Sequence, residues 1–227
     1  MFVDQTLMGW YGMVSVEAMA LGRPVLTSIR ADFESPGRAR EFAEAFGAEV
    51  ILESPERPGS LRRAAREAGV DVLVYEGGEG LRFDEFAIKA GVDGIVNVML
   101  ATGLLELPDG VDRATLNPNA RPPVFANASR WVRAPDGGVF RTGKRIGEAV
   151  SEGEAIGFVA NPYEDSETEI RSPRRGIIVG RTTLPIVNMG DALFHIAWSE
   201  ELDKSRPPGP RDAAAAAEPV MDEDEII

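Results

Sequence analysis

The sequence predicts an α/β fold: a partial α/β layer followed by a small all-β domain. Three observations carry this. From about residue 23 to 105, short apolar runs alternate with helical segments, which argues for a layer with a largely parallel sheet. From about Val124 to Trp198, short strands are separated by Gly, Pro, Asn and Asp. Between them, PDGVDRATLNPNARPP has the composition of a linker. The boundaries fall at 1–112 for the α/β part, 113–123 for the linker, 124–199 for the β domain and 200–227 for a tail. The tail carries eight acids against three bases from Glu201 to Ile227 and reads as disordered.

The elements follow in order. RPVLTSI holds a short strand. PGRAREFAEAFG reads as a helix with Pro36 near its start and Gly47 at its end. AEVILES is the next strand. PGSLRRAAREAG is a second helix, capped by Ser60 and stopped by Gly69. DVLVYE is a strand that ends in Glu76, with Gly77 and Gly78 allowing a sharp turn. RFDEFAIKAGVDGIVNVMLATGLL is mostly helical, with apolar spacing at Phe86, Ile88, Val92, Ile95, Val96, Met99 and Leu100. In the β part, ASRWVRAPDGGVFRT reads as a hairpin turning at PDGG. GEAVSEGEAIGFVANP and EIRSPRRGIIVGRTTLPIVNMGDALFHIAW continue the strand-and-turn rhythm.

Composition narrows the chemistry. The chain has 227 residues, 44% of them hydrophobic, enough for a packed core. Its net charge of −13 repels a phosphate backbone and argues against nucleic-acid binding. No run approaches the roughly 18–20 apolar residues that cross a bilayer. MFVDQTLMGWYGMV is a poor secretory signal, so a cytoplasmic location is expected. Cysteine is absent and His195 is the sole histidine, which leaves few soft metal ligands.

Glu76 is the leading candidate for chemistry. Ligands of open α/β sheets bind beyond the carboxyl ends of the strands, where a partly shielded carboxylate suits a general base. On spacing alone, an ordinary loop acid is the commoner outcome. His195 lies in GDALFHIAW, where alternation sets it on the opposite strand face from Phe194, and a lone strand histidine is more often structural than a ligand. Arg62, Arg63, Arg66 and Arg82 could grip an anionic substrate. They also read as a solvated face with Glu67 and Asp71 as partners. The β part resembles biotinyl or lipoyl carrier domains, but ANPYEDSETEI lacks the lysine such carriers need, so only the fold is implied.

Taken together, IRADFESPGRAREFAEAFGAEVILES, GSLRRAAREAG, VLVYEGGEGLRFDEFAIKAGVDGIVNVM, ANASRWVRAPDGGVF, SPRRGIIVGR and GDALFHIA resemble the C-terminal portion of the succinylglutamate desuccinylase/aspartoacylase family. The resemblance covers most of residues 23–198 in order. It implies a carboxypeptidase-like, zinc-dependent hydrolase (a deacylase) that cleaves the amide of an N-acyl amino acid. Glu76 then matches the family's catalytic glutamate, and Arg63, Arg66 and Arg82 are candidate substrate contacts.

The departures bear on activity. Nothing here matches the family's His-x-x-Glu zinc ligands. Where its later histidine ligand falls, the sequence reads SVEAM, which puts Glu17 near that position. The chain alone is therefore expected to be inactive, whether through a truncated gene or a misplaced start. A non-catalytic binding or regulatory relative is the alternative. A metal site rebuilt from Glu17, Asp32 and Glu76 ranks below both, since carboxylates alone favour harder ions than zinc. Exposed sheet edges are expected, to be covered by a partner chain or a homo-oligomer.

Overall fold

A computed structural model describes residues 25–31 (backbone only), 38–80, 83–107, 109, 111, 122–164, 166–200 and 202. Glu17, Asp32 and Arg82, most of the expected linker and nearly all of the acidic tail lie outside the described residues.

The first part contains β1 (Val25–Ala31), α1 (Ala39–Phe46), β2 (Val50–Glu53), α2 (Leu61–Glu67), β3 (Val74–Gly78) and α3 (Glu85–Ala101). Local chemistry sets the helix ends. Gly47 closes α1 in the left-handed region at φ +81°. The Ser60 hydroxyl accepts from the Arg63 amide at 3.3 Å, and the Asp84 carboxylate from the Ala87 amide at 3.2 Å. In the sheet, β1 lies beside β2, and β2 beside β4 (Val124–Ala126), all parallel. The expectation of a largely parallel sheet needs correction at β3, which runs antiparallel to β1. A parallel return needs a helix packed across the sheet, and α2 buries none of its residues.

Side chains alternate across β2. Ile51 joins Phe42, Ala43, Phe46, Ala48 and Val98 under α1 and α3. Val50 and Leu52 point the other way, onto Ile177, Val179 and Ala197. The layer is therefore covered by helices on one face and by the β part on the other.

That β part contains β5 (Ala128–Arg133), β6 (Gly138–Arg141), β7 (Ala149–Val150), β8 (Ala155–Asn161), β9 (Ser166–Arg171), β10 (Gly176–Arg181), β11 (Ile186–Val187) and β12 (Ala192–Trp198). Strands β10, β12 and β5 extend the first sheet through the pair Val25–Gly180. A second sheet runs β11-β6-β8-β9. Between the two sheets lie Phe140, Ile156, Val159, Ile178, Leu193, Phe194 and Ile196, with Phe140 edge-on to Phe194. The hairpin expected at PDGG does not form. β5 pairs with β12 along six registered positions, whereas β6 pairs with β8 and β11. The turn hands the chain from one sheet to the other, because each strand finds a better partner further along.

The expected apolar spacing of α3 also needs correction. Its buried face is Ala87, Gly91, Gly94 and Val98, while Phe86, Ile88, Val92 and Val96 are exposed. Small residues face inward because Tyr75 and Phe46 fill the space beneath them. A Cβ on Gly91 would sit 3.0 Å from the Tyr75 ring, and one on Gly94 only 2.2 Å from the Phe46 ring.

Candidate functional site

The strand β3 is built to hold Glu76 still. Tyr75 points into the helix-side core, 5.2 Å from the Phe46 ring, and its hydroxyl donates to the Ala87 carbonyl at 2.7 Å. Period 2 then turns Glu76 to the opposite face, the one on which Val50 and Leu52 meet the β part. Glu76 registers with Ser28 of β1 and is 6% exposed. The strand does not end at Glu76, as the sequence suggested, but runs on through Gly78. The chain turns at Gly78, whose φ of +82° an L side chain rarely adopts. A Cβ there would also press on Ala87 and Asp84, at 3.2 and 3.4 Å.

The turn beyond Gly78 is tied to the β part. The Thr183 hydroxyl donates to the Glu79 carboxylate at 3.0 Å. Gly78 and Gly180 both register with Val25, so β3 and β10 converge there. Sequence reading passed over Glu79 and Thr183. Nothing local marks a pair 104 residues apart.

Burial raises the Tyr75 phenol to about 12 from 10.0, with the neighbouring Asp84 carboxylate adding to the effect. Between those two values the unfolded chain has lost the phenol proton and the folded chain keeps it. Stability therefore falls as pH rises from 10 to 12. Tyr75→Phe is expected to cost about 1 kcal/mol at neutral pH, through the lost hydrogen bond. It should also flatten this alkaline decline. Urea midpoints at pH 8 and pH 11 for both proteins measure it, and parallel declines would show that Tyr75 has no part in it.

The arginines fall on α2 and its approach. Arg63 pairs with Glu67 at 2.9 Å, as the sequence suggested, and Arg66 pairs with Glu56 at 2.7 Å. Arg62 donates to the carbonyls of Ser54 and Pro55 at 3.2 and 3.3 Å. Asp71, the other expected partner, accepts instead from the Arg38 amide at 3.3 Å. The Arg62 and Arg66 contacts hold α2 to the loop after β2, while the Arg63–Glu67 pair lies within the helix.

His195 lies on β12 between Gly180 and Trp131, 5% exposed, with its ring stacked on Trp131 at 4.6 Å. Phe194, one residue away, is in the core between the two sheets. Among the described residues, no group of three or more His, Cys, Asp or Glu side chains could hold a metal ion. The described residues alone therefore supply no ligand set for the zinc that the family resemblance implies.

Comparison with known proteins agrees with the resemblance read in the sequence. No family model matches the chain. The N-alpha-acetyl-L-2,4-diaminobutyric acid deacetylase of Halomonas elongata is 28% identical over 177 residues, covering 73% of this chain and 48% of that protein. Among solved structures, the succinylglutamate desuccinylase/aspartoacylase of Rhodobacter sphaeroides superposes with a TM-score of 0.65 at 23% identity. It covers 79% of this chain and 55% of its own. The product-bound ectoine utilization protein EutE (DoeB) of Ruegeria pomeroyi superposes at 0.64 with 18% identity and the same coverage. The chain has the fold of these proteins and spans about half the length of each.

Proposed function

We propose, on that similarity, that this chain is the C-terminal portion of a deacylase that hydrolyses the amide of an N-acyl amino acid or a similar small molecule. Glu76 serves as its proton-transferring base. The observation that supports this reading is the placement of Glu76. It is buried on a strand that Tyr75 anchors to the helices, and the residue after the Gly77-Gly78 pair is tied to the β part. A base needs such a fixed bearing on the water or amine whose proton it moves. A carboxylate with no task gains nothing from burial.

Zinc dependence belongs to the same proposal, with its ligands supplied by the portion of the fold that this chain does not match. The 227-residue chain alone is then expected to release no acid from N-acetyl or N-succinyl amino acids. Mixed with that complementary portion, it is expected to do so. Steady hydrolysis by the chain alone, abolished by Glu76→Gln, would place the whole catalytic apparatus within it.

The non-catalytic alternative draws on one observation. Arg63 and Arg66, two of the expected substrate contacts, hold acids of this chain. It predicts no hydrolysis under either condition.

A further inference from the structure

The turn that hands the chain from β5 to β6 carries an Asp-Gly step, and the fold arranges that step for a reaction of its own. The sequence holds Asp-Gly at three places, 93–94, 109–110 and 136–137. Asp93 and Gly94 lie inside α3, where the glycine amide belongs to the helix ladder and the backbone cannot swing toward the side chain. Asp136 and Gly137 lie in an exposed bend between two strands. There the Gly137 amide donates to the Asp136 carboxylate itself, with 2.8 Å between the nitrogen and Oδ1. The side chain is folded back onto the peptide that follows it, so the carboxyl carbon is held beside that nitrogen. Both flanks of the bend are pinned. The Ala134 amide donates to the Asp191 carbonyl at 2.7 Å, the Ala134 carbonyl accepts from the Gly190 amide at 2.8 Å, and Gly138 registers with Val187. Gly137 leaves its nitrogen open to approach, since glycine has no Cβ to shield it.

We propose that Asp136-Gly137 is a site of isoaspartate formation, a slow covalent modification that the fold directs to this step and away from Asp93-Gly94. The chemistry needs no cofactor. The Gly137 nitrogen attacks Cγ of the protonated Asp136 carboxyl and gives up its own proton, and one carboxyl oxygen leaves as water. The product is a cyclic succinimide. Water then adds at either ring carbonyl. Addition at Cγ breaks the new bond and restores aspartate. Addition at the main-chain carbonyl breaks the original peptide bond and leaves Gly137 linked through the side chain. One water leaves and one returns, so the mass is unchanged and nothing is oxidised or reduced. Holding the nitrogen and the carboxyl group in contact is what speeds such an intramolecular step. The product carries an extra methylene in the main chain and a free α-carboxylate, the group that an S-adenosylmethionine-dependent carboxyl methyltransferase would esterify. The bend has little slack for the longer chain, since its flanks are pinned and a Cβ on Gly138 would already lie 2.2 Å from the Ala160 carbonyl oxygen. The modification therefore acts on the crossing between the two sheets. This inference is independent of the deacylase reading.

The test ages the full 227-residue chain at neutral pH and physiological temperature, folded in buffer and unfolded in guanidinium. Isoaspartate is located at each position by electron-transfer fragmentation of peptides and counted by enzymatic methyl transfer from labelled S-adenosylmethionine. In the folded chain, position 136 is expected to accumulate it roughly tenfold faster than position 93, or more. In guanidinium the two rates should converge, because both steps then share the same local chemistry. Gly137→Ala should slow the reaction at 136 by roughly tenfold, since the new methyl shields the nitrogen. That methyl meets only ordinary contacts, the nearest at 3.6 Å from the Val187 carbonyl oxygen, so the variant keeps the fold. Equal rates at 136 and 93 in the folded chain overturn the proposal, and so does a rate at 136 unchanged by Gly137→Ala. A rate at 136 that rises when the chain is unfolded also overturns it, because the bend would then hinder the attack.

Discussion

Gly94→Ala is expected to destabilise the chain by about 2 kcal/mol, in the usual range for overpacking a filled core. Two effects compete. Alanine in place of glycine inside a helix gains about 1 kcal/mol from propensity. Against that, the new methyl would lie 2.2 Å from the Phe46 ring, a separation no real contact tolerates. Phe46 has little room to yield, since its ring also packs on Tyr75 and Ile51 lies in the same cluster. The clash therefore outweighs the propensity gain. Gly91→Ala meets Tyr75 at 3.0 Å, a much milder approach, and is expected to be close to neutral. Denaturant unfolding of the two variants measures the difference. Adding Phe46→Leu to Gly94→Ala should recover part of the loss, because the pair couples through one contact. If Gly94→Ala proves as stable as the parent, α3 does not ride as close to Phe46 as described.

Gly94 also shows where sequence reading reaches its limit. The helix was legible from its apolar spacing, but its Asp84 cap and its buried face were not. Pattern reading assigns large apolar residues to the core. Here two rings from outside the helix occupy the core, and the helix supplies the gaps that fit them. Only the distant Phe46 and Tyr75 decide that. The same limit hid the Glu79–Thr183 bond and the separation of β5 from β6, since both depend on strands far along the chain. Local chemistry was legible, as at Gly47 and Ser60. So was the alternation that parts Phe194 from His195. Glu76 stood out because an acid at the end of an apolar run asks for an explanation. That its strand runs on to Gly78 was not visible, because glycine rarely reads as strand.

The second large effect is at the proposed base. In the complex of the chain with its complementary half, Glu76→Gln is expected to lower kcat by roughly 10²–10⁴-fold, the usual share of general acid–base catalysis. KM should stay nearly constant, since an interaction used only in the transition state lowers kcat and kcat/KM together. Glutamine matches glutamate in size, so β3 keeps its packing and its register with Ser28. Glu76→Asp keeps the charge but draws it back by one methylene, and it should retain partial activity. A loss confined to KM would assign Glu76 to substrate binding.

The measurement that tests the account most directly is the release of free carboxylic acid from N-acyl amino acids, followed by proton NMR. Three samples are compared at equal concentration: the chain alone, the chain with its complementary half, and that complex carrying Glu76→Gln. The account predicts acid release from the second sample only. Release at equal rates from the second and third would contradict it, because Glu76 would then carry no step of the reaction.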